Sequence, residues 1–96
     1  MRKAIIIIGG SKSQTWLIGS AKQKGYITFV FDKLANAPGA KVADYFFPIS
    51  TNTFRLIIDK LEFYKRDFLF QGVVTYSSRP EALKTVFKIA NHFHLK

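Results

Sequence analysis

Two hydrophobic rhythms divide this chain. Ala4-Ile5-Ile6-Ile7-Ile8 is a continuous apolar run without polar alternation, the pattern of a strand covered on both faces of a parallel sheet. Gly9 and Gly10 end it, and from Ser13 to about Lys24 the period changes to a helical one carried by Trp16, Leu17, Ser20, Ala21 and Lys24, with Gly25 placed as a cap. Tyr26 to Phe31 then predicts a second buried strand. Tyr45-Phe46-Phe47, stopped by Pro48, suits a short strand or a strand end, because proline removes a ladder donor. Phe54, Ile57, Ile58, Leu61 and Tyr64 form the stripe of a second helix, capped by Thr51 or Thr53, with Asp59, Lys60, Glu62 and Lys65 on the wet side. Gly72-Val73-Val74-Thr75 predicts another buried strand, which delivers Tyr76, Ser77 and Ser78 into a turn. Ser78-Arg79-Pro80-Glu81 fits a capping box with Ser78 as N-cap, opening a helix whose expected inner face is Ala82, Leu83, Val86, Phe87, Ala90 and Phe93.

The order β-α-β-β-α-β-α predicts an α/β fold: a small three-layer Rossmann-like domain with a mostly parallel four-stranded sheet, right-handed crossovers and helices on both faces. With the first strand central and the fourth on its other side, a crevice falls between the Gly9-Gly10-Ser11 loop and the Thr75 to Ser78 turn. Ligands of open α/β sheets bind at such a reversal.

Composition narrows the classes. The chain has 96 residues, 48% of them hydrophobic, enough for one small core, so residues 1–96 are expected to form a single domain. Ten phenylalanines suggest apolar surface left over for another domain or subunit. The absence of cysteine excludes disulfides and thiolate metal sites. No apolar run reaches membrane-span length, and the Ile run after Met1-Arg2-Lys3 lacks a cleavage signature, so a cytoplasmic location is expected with no membrane partner. The formal charge of +9 invites a nucleic-acid reading, but the basic residues are scattered singly and no recognition motif accompanies them; solvated helix faces explain them better.

Candidate chemistry gathers at strand ends. Two residues without Cβ at Gly9-Gly10 let a polar or anionic group approach the following helix start, although the fold needs a tight turn there in any case. Asp32 falls at the end of the second strand, about twenty residues after the glycines, where a dinucleotide fold meets ribose hydroxyls; it equally suits a loop cap. Counted from Gly9, the G-x-G-x-x-G pattern has Ser11 and Gln14 where the second and third glycines belong, which argues against a dinucleotide grip. If Ser78 caps its helix, Thr75 and Ser77 are the freer hydroxyls. Lys12 suits either an anion in the loop or plain solvation, and Pro38-Gly39 and Asp44 read first as turn and loop chemistry. His92 and His94, one residue apart, read as a frayed helix end. No paired carboxylates, nucleophile and base, or metal-ligand set supports an independent active site.

The set Ile8-Gly9-Gly10, Gln14, Leu17-Ile18, Ala21-Lys22, Gly25-Tyr26, Asp32, Ala37-Pro38-Gly39, Ala43-Asp44 and Gly72-Val73-Val74-Thr75 resembles the N-terminal (pre-ATP-grasp) domain of ATP-grasp ligases over nearly the whole chain. The similarity is to relatives of carbamoyl phosphate synthase large subunits, biotin carboxylase and the purine-pathway carboxylases. It implies a ligase in which ATP phosphorylates a carboxylate or bicarbonate and a nucleophile such as an amine displaces phosphate from the acyl phosphate. It further implies that ATP and magnesium belong to a catalytic ATP-grasp region absent from this chain, and that the segment itself holds no cofactor and is inactive alone. The expected partners are the remainder of an ATP-grasp chain or a homodimer partner, and a small-molecule substrate. The resemblance and the strand-end positions together nominate Gly9, Gly10, Ser11, Gln14, Asp32, Thr75, Ser77 and Ser78 as substrate-side residues. Two other readings stand beside it: a free-standing Rossmann-like module for a nucleotide or small anion, and an aromatic-rich interaction domain that dimerises.

Overall fold

A computed structural model describes residues 1–95. Its elements are β1 (Arg2–Ile8), a short 3-10 turn (Lys12–Gln14) running into α1 (Thr15–Gln23), β2 (Ile27–Phe31), a second 3-10 turn (Pro38–Lys41), β3 (Tyr45–Phe47), α2 (Phe54–Tyr64), β4 (Phe68–Val74) and α3 (Pro80–Phe93). The four strands form one all-parallel sheet in the order β3-β2-β1-β4, so β1 is central and its unbroken isoleucine run is explained by cover on both faces. On one face α2 and α3 pack against Ala4, Ile6, Ile8, Phe29, Phe31 and Phe70. On the other, Ile18 of α1 closes over Ile7 and Val30. This is the expected three-layer α/β arrangement.

The first face is aromatic. Phe29 stacks on Tyr45 at 4.7 Å between ring centroids and meets Tyr64, Phe68 and Phe70 edge-on at 5.1 to 5.3 Å. Offset and edge-on pairs contribute about 0.5–1.5 kcal/mol each beyond the area they bury. Much of the phenylalanine content is thus used inside one small core rather than left for a partner.

α1 ends as the sequence suggests. Gly25 sits at φ +90°, its N–H donating to the Lys22 carbonyl and that of Tyr26 to the Ala21 carbonyl, which is the Schellman closure that glycine permits without strain.

Elsewhere the structure departs from the pattern reading. β4 starts at Phe68, four residues before Gly72, because a bulge absorbs Gln71: Ala4 pairs with Phe70 and Ile5 with Gly72. The extra polar residue interrupts the apolar run and hides the strand. α3 buries Ala82, Thr85 and Ile89, while Leu83 and Phe87 of the expected inner face are exposed. Apolar residues run along two adjacent stripes of this helix, and the small Ala82 together with Thr85, whose hydroxyl lies within hydrogen-bonding distance of the Thr51 and Glu81 carbonyls, sets the phase. The Ser78 capping box does not form: Arg79 holds the N-cap position without a side-chain cap bond, and Ser77 Oγ accepts the Arg79 N–H at 3.1 Å. Thr53 occupies the N-cap position of α2, but its hydroxyl donates to the Ser50 carbonyl instead of capping. His92 is not frayed, since its Nε2 lies 2.8 Å from Glu62 Oε2 and ties α3 to α2. Among the described residues no helix is long and apolar enough to cross a membrane.

Candidate functional site

Every strand of a parallel sheet delivers its following loop to the same edge. Here the loops after β1, β2, β3 and β4 border a cleft of about 430 Å³. Gly9, Ser11, Ser13, Gln14, Asp32 and Lys33 form one wall; Ser50, Thr51, Asn52 and the run Tyr76 to Arg79 with Glu81 form the other. Of the nominated residues, Gly9, Ser11, Gln14, Asp32, Ser77 and Ser78 border this space, whereas Gly10 is buried and Thr75 half-buried behind it.

The first wall is built by hydrogen bonds that consume its polar atoms. Asp32 Oδ2 accepts the Gly10 N–H at 2.9 Å and Oδ1 accepts that of Leu34 at 3.0 Å, so each carboxylate oxygen is engaged with backbone. Gln14, only 3% exposed, donates through Nε2 to the Ile8 carbonyl at 3.0 Å and accepts the Tyr76 N–H on Oε1 at 3.1 Å. Its side-chain amide therefore bridges the ends of β1 and β4. Gly9, at φ +99°, leaves room for that amide, which a Cβ would strike. The Ala37 to Asp44 run braces the same loop from outside: the Gly39 N–H donates to the Gly10 carbonyl at 2.7 Å, and Asp44 Oδ2 accepts both the N–H and the hydroxyl of Thr28. The close approach of two glycine backbones explains why Gly39 follows Pro38.

The hydroxyls of the opposite turn divide differently from the capping-box expectation. Thr75 Oγ1 donates to the Ile8 carbonyl at 2.7 Å and accepts the Ser77 N–H, and Ser77 Oγ accepts the Arg79 N–H. Ser78, released from capping, is exposed in the cleft wall and engages no other group among the described residues. The freer hydroxyl is therefore Ser78, and Thr75 and Ser77 are the engaged ones.

Pattern reasoning overlooked Ser13, Lys33, the Ser50 to Asn52 loop, Tyr76 and Arg79. The signal was present, because Ser50 to Asn52 follows the third strand just as the glycine loop follows the first, and a parallel sheet brings both to one edge. Tyr76 meets Trp16 edge-on at 5.4 Å, giving the cleft an aromatic flank. The accessible groups are hydroxyls, an amide and the cations Lys33 and Arg79, beside the carboxylates of Asp32 and Glu81. This set suits a hydroxylated ligand with an anionic group. Among the described residues no three of His, Cys, Asp and Glu converge as a metal site.

The sheet order, its two helical layers and the cleft at the strand ends define a three-layer, Rossmann-like α/β domain. No protein-family profile matches the chain. It is 30% identical over 84 residues, 88% of its length, to formate-dependent phosphoribosylglycinamide formyltransferase from Prochlorococcus marinus (strain MIT 9515), of which it spans 21%. It superposes on N5-carboxyaminoimidazole ribonucleotide synthetase from Thermotoga maritima with a TM-score of 0.71 and 23% identity, covering 96% of this chain and 23% of that one. The chain thus spans about a fifth of the curated relative it matches, and it is similar over nearly its whole length to the N-terminal region of ATP-grasp enzymes.

Proposed function

We propose that this chain is the N-terminal, substrate-binding and structural domain of an ATP-dependent ligase that works through an acyl phosphate, and that it takes a phosphorylated ribosyl amine as acceptor. The observation that carries the reading is the 30% identity over 88% of the chain to an enzyme named for phosphoribosylglycinamide. The fold likeness to a ribonucleotide synthetase supports it, as does a cleft whose free groups are hydroxyls, an amide and two cations. On this reading Arg79 and Lys33 attract the phosphate, and Ser78 and Asn52 meet ribose hydroxyls. Gln14 and Thr75 tie the two walls together across the ends of β1 and β4, and Asp32 fixes the glycine loop. ATP and magnesium act on the ligase segment beyond this chain, and no step of their chemistry falls to residues 1–96.

Calorimetric titration of the 96-residue chain tests this. Weak binding of a phosphoribosyl amine, with no heat from magnesium ATP, is expected. Heat from ATP, NAD or NADP with none from the phosphoribosyl amine would replace this reading with that of a free-standing nucleotide module.

A further inference from the structure

Most aromatic side chains are spent in the core, and those that reach the surface fall in different places. Phe63 lies on α2 and Phe87 on α3, and neither borders the cleft. Tyr76, 60% exposed, is the one exposed large hydrophobic side chain among the described residues that does.

Tyr76 is held through both its backbone and its ring. Its N–H donates to Gln14 Oε1 at 3.1 Å, and the amide that accepts it is buried. The preceding Thr75 is fixed in turn, its hydroxyl donating to the Ile8 carbonyl. The ring meets Trp16, two residues beyond Gln14, at 5.4 Å between centroids and 87° between planes. One short stretch at the start of α1 therefore fixes where this ring sits and how it is turned. An edge-on pair uses the face of only one ring, and both stay more than half exposed, Trp16 at 57%. What is left is a flat π surface of set orientation beside Ser77, Ser78 and Arg79.

We infer that Tyr76 is a specificity-determining residue that reads the part of the acceptor beyond the ribose, and that this part is a planar unsaturated ring stacked on the tyrosine face. The inference rests on the phosphoribosyl amine proposed above and sharpens it: the amine is carried on a heteroaromatic ring rather than on an acyclic chain. Stacking on an aromatic side chain is an interaction between flat π faces, which an acyclic tail cannot offer. Arg79 lies three residues from Tyr76 in the same loop. Three residues span at most about 10 Å of chain, so one ribosyl phosphate can set its phosphate on the guanidinium and its ring on the tyrosine. Trp16 is the positioning residue, since it holds the tyrosine ring in place.

Trp16 is the only tryptophan in the chain, so its fluorescence reports on the ring pair directly. Titration with aminoimidazole ribonucleotide, glycinamide ribonucleotide and ribose phosphate, followed by fluorescence and by calorimetry, tests the inference. The ring compound is expected to change Trp16 emission and to bind about tenfold more tightly than the other two. Tyr76→Phe should keep that preference. Tyr76→Leu should abolish it while leaving the affinity for the acyclic ribonucleotide unchanged, a split that a merely structural tyrosine would not produce. Both substitutions fall on an exposed side chain and keep the backbone N–H on Gln14, so circular dichroism should match the parent. Equal affinity for the ring and acyclic ribonucleotides overturns the inference and leaves the phosphoribosyl amine reading standing. A preference that survives Tyr76→Leu overturns it equally, and absence of binding by all three compounds overturns both.

Discussion

The two walls of the cleft are made of similar residues put to opposite uses. On the β1 and β2 side, Asp32 and Gln14 spend their polar atoms on backbone N–H and carbonyl groups, and Gly39 closes against Gly10 from behind. On the β3 and β4 side, Ser78 and Arg79 stand exposed, with the Ser50 to Asn52 loop beside them. A glycine, a carboxylate or an amide at a strand end is therefore no guide to ligand contact until its hydrogen bonds are counted. Asp32 and Gln14 thus serve as scaffold in the first wall, whereas Ser78 and Arg79 in the second, like Lys33 in the first, leave polar groups open to the cleft.

The sharpest way to break this contrast is Gly39→Ala. Its Cβ would lie 2.8 Å from the Gly10 oxygen and 2.9 Å from both Gly10 Cα and Ile18 Cδ1, and neither backbone can yield cheaply. A loss of about 3 kcal/mol in chemical denaturation is expected; a stability equal to the parent would show that the brace is slack. Gln14→Ala comes next. Thr75 still serves the Ile8 carbonyl, but the Tyr76 N–H loses its acceptor, so a loss of about 2 kcal/mol is expected, and Gln14→Glu should recover only the acceptor half.

The other wall should respond in the reverse sense. Arg79→Ala and Ser78→Ala are expected to leave stability within about 0.5 kcal/mol of the parent, as for exposed positions that make no buried contact. Arg79→Ala should nevertheless weaken binding of a phosphorylated ligand about tenfold by calorimetry, consistent with a charge-assisted bond. Destabilisation by Arg79→Ala without loss of affinity would move it to the scaffold.

The smallest effect lies away from the cleft. Hydrogen bonds from His92 and then Lys65 hold the exposed Glu62 carboxyl below its ordinary pKa. Its contribution to stability is present above the unfolded glutamate range and is lost as pH falls through the folded value. Glu62→Gln should therefore flatten the acid limb of a plot of Tm against pH. Superimposable limbs would mean that the bond between α2 and α3 carries no stability.

The backbone plan was readable because it rests on patterns that one segment can carry alone. Ile5 to Ile8 announces a central strand, and Gly25 announces the end of α1. What the sequence could not convey depended on distant segments. Asp32 looks like a ribose contact until Gly10 and Leu34 are seen to occupy it, and Ser78 looks like a cap until Ser77 takes the Arg79 N–H. α3 offered two apolar stripes of equal period, and only contact with the sheet chose Thr85 and Ile89 over Leu83 and Phe87. The cleft's location followed from topology, while its division into braced and free groups required the hydrogen bonds.

The neighbour of β1 across the centre of the sheet arrives late from the far part of the chain. Arg2 pairs with Phe68, and the Thr75 hydroxyl reaches the Ile8 carbonyl 67 residues away. During synthesis β1, α1 and β2 leave the ribosome first, yet the isoleucine run stays open along one side until β4 follows. Such non-local closure makes folding slow and leaves an apolar strand edge available in the meantime. A nascent chain halted before Phe68 is accordingly expected to need a holding chaperone, and one extended past Thr75 to release it.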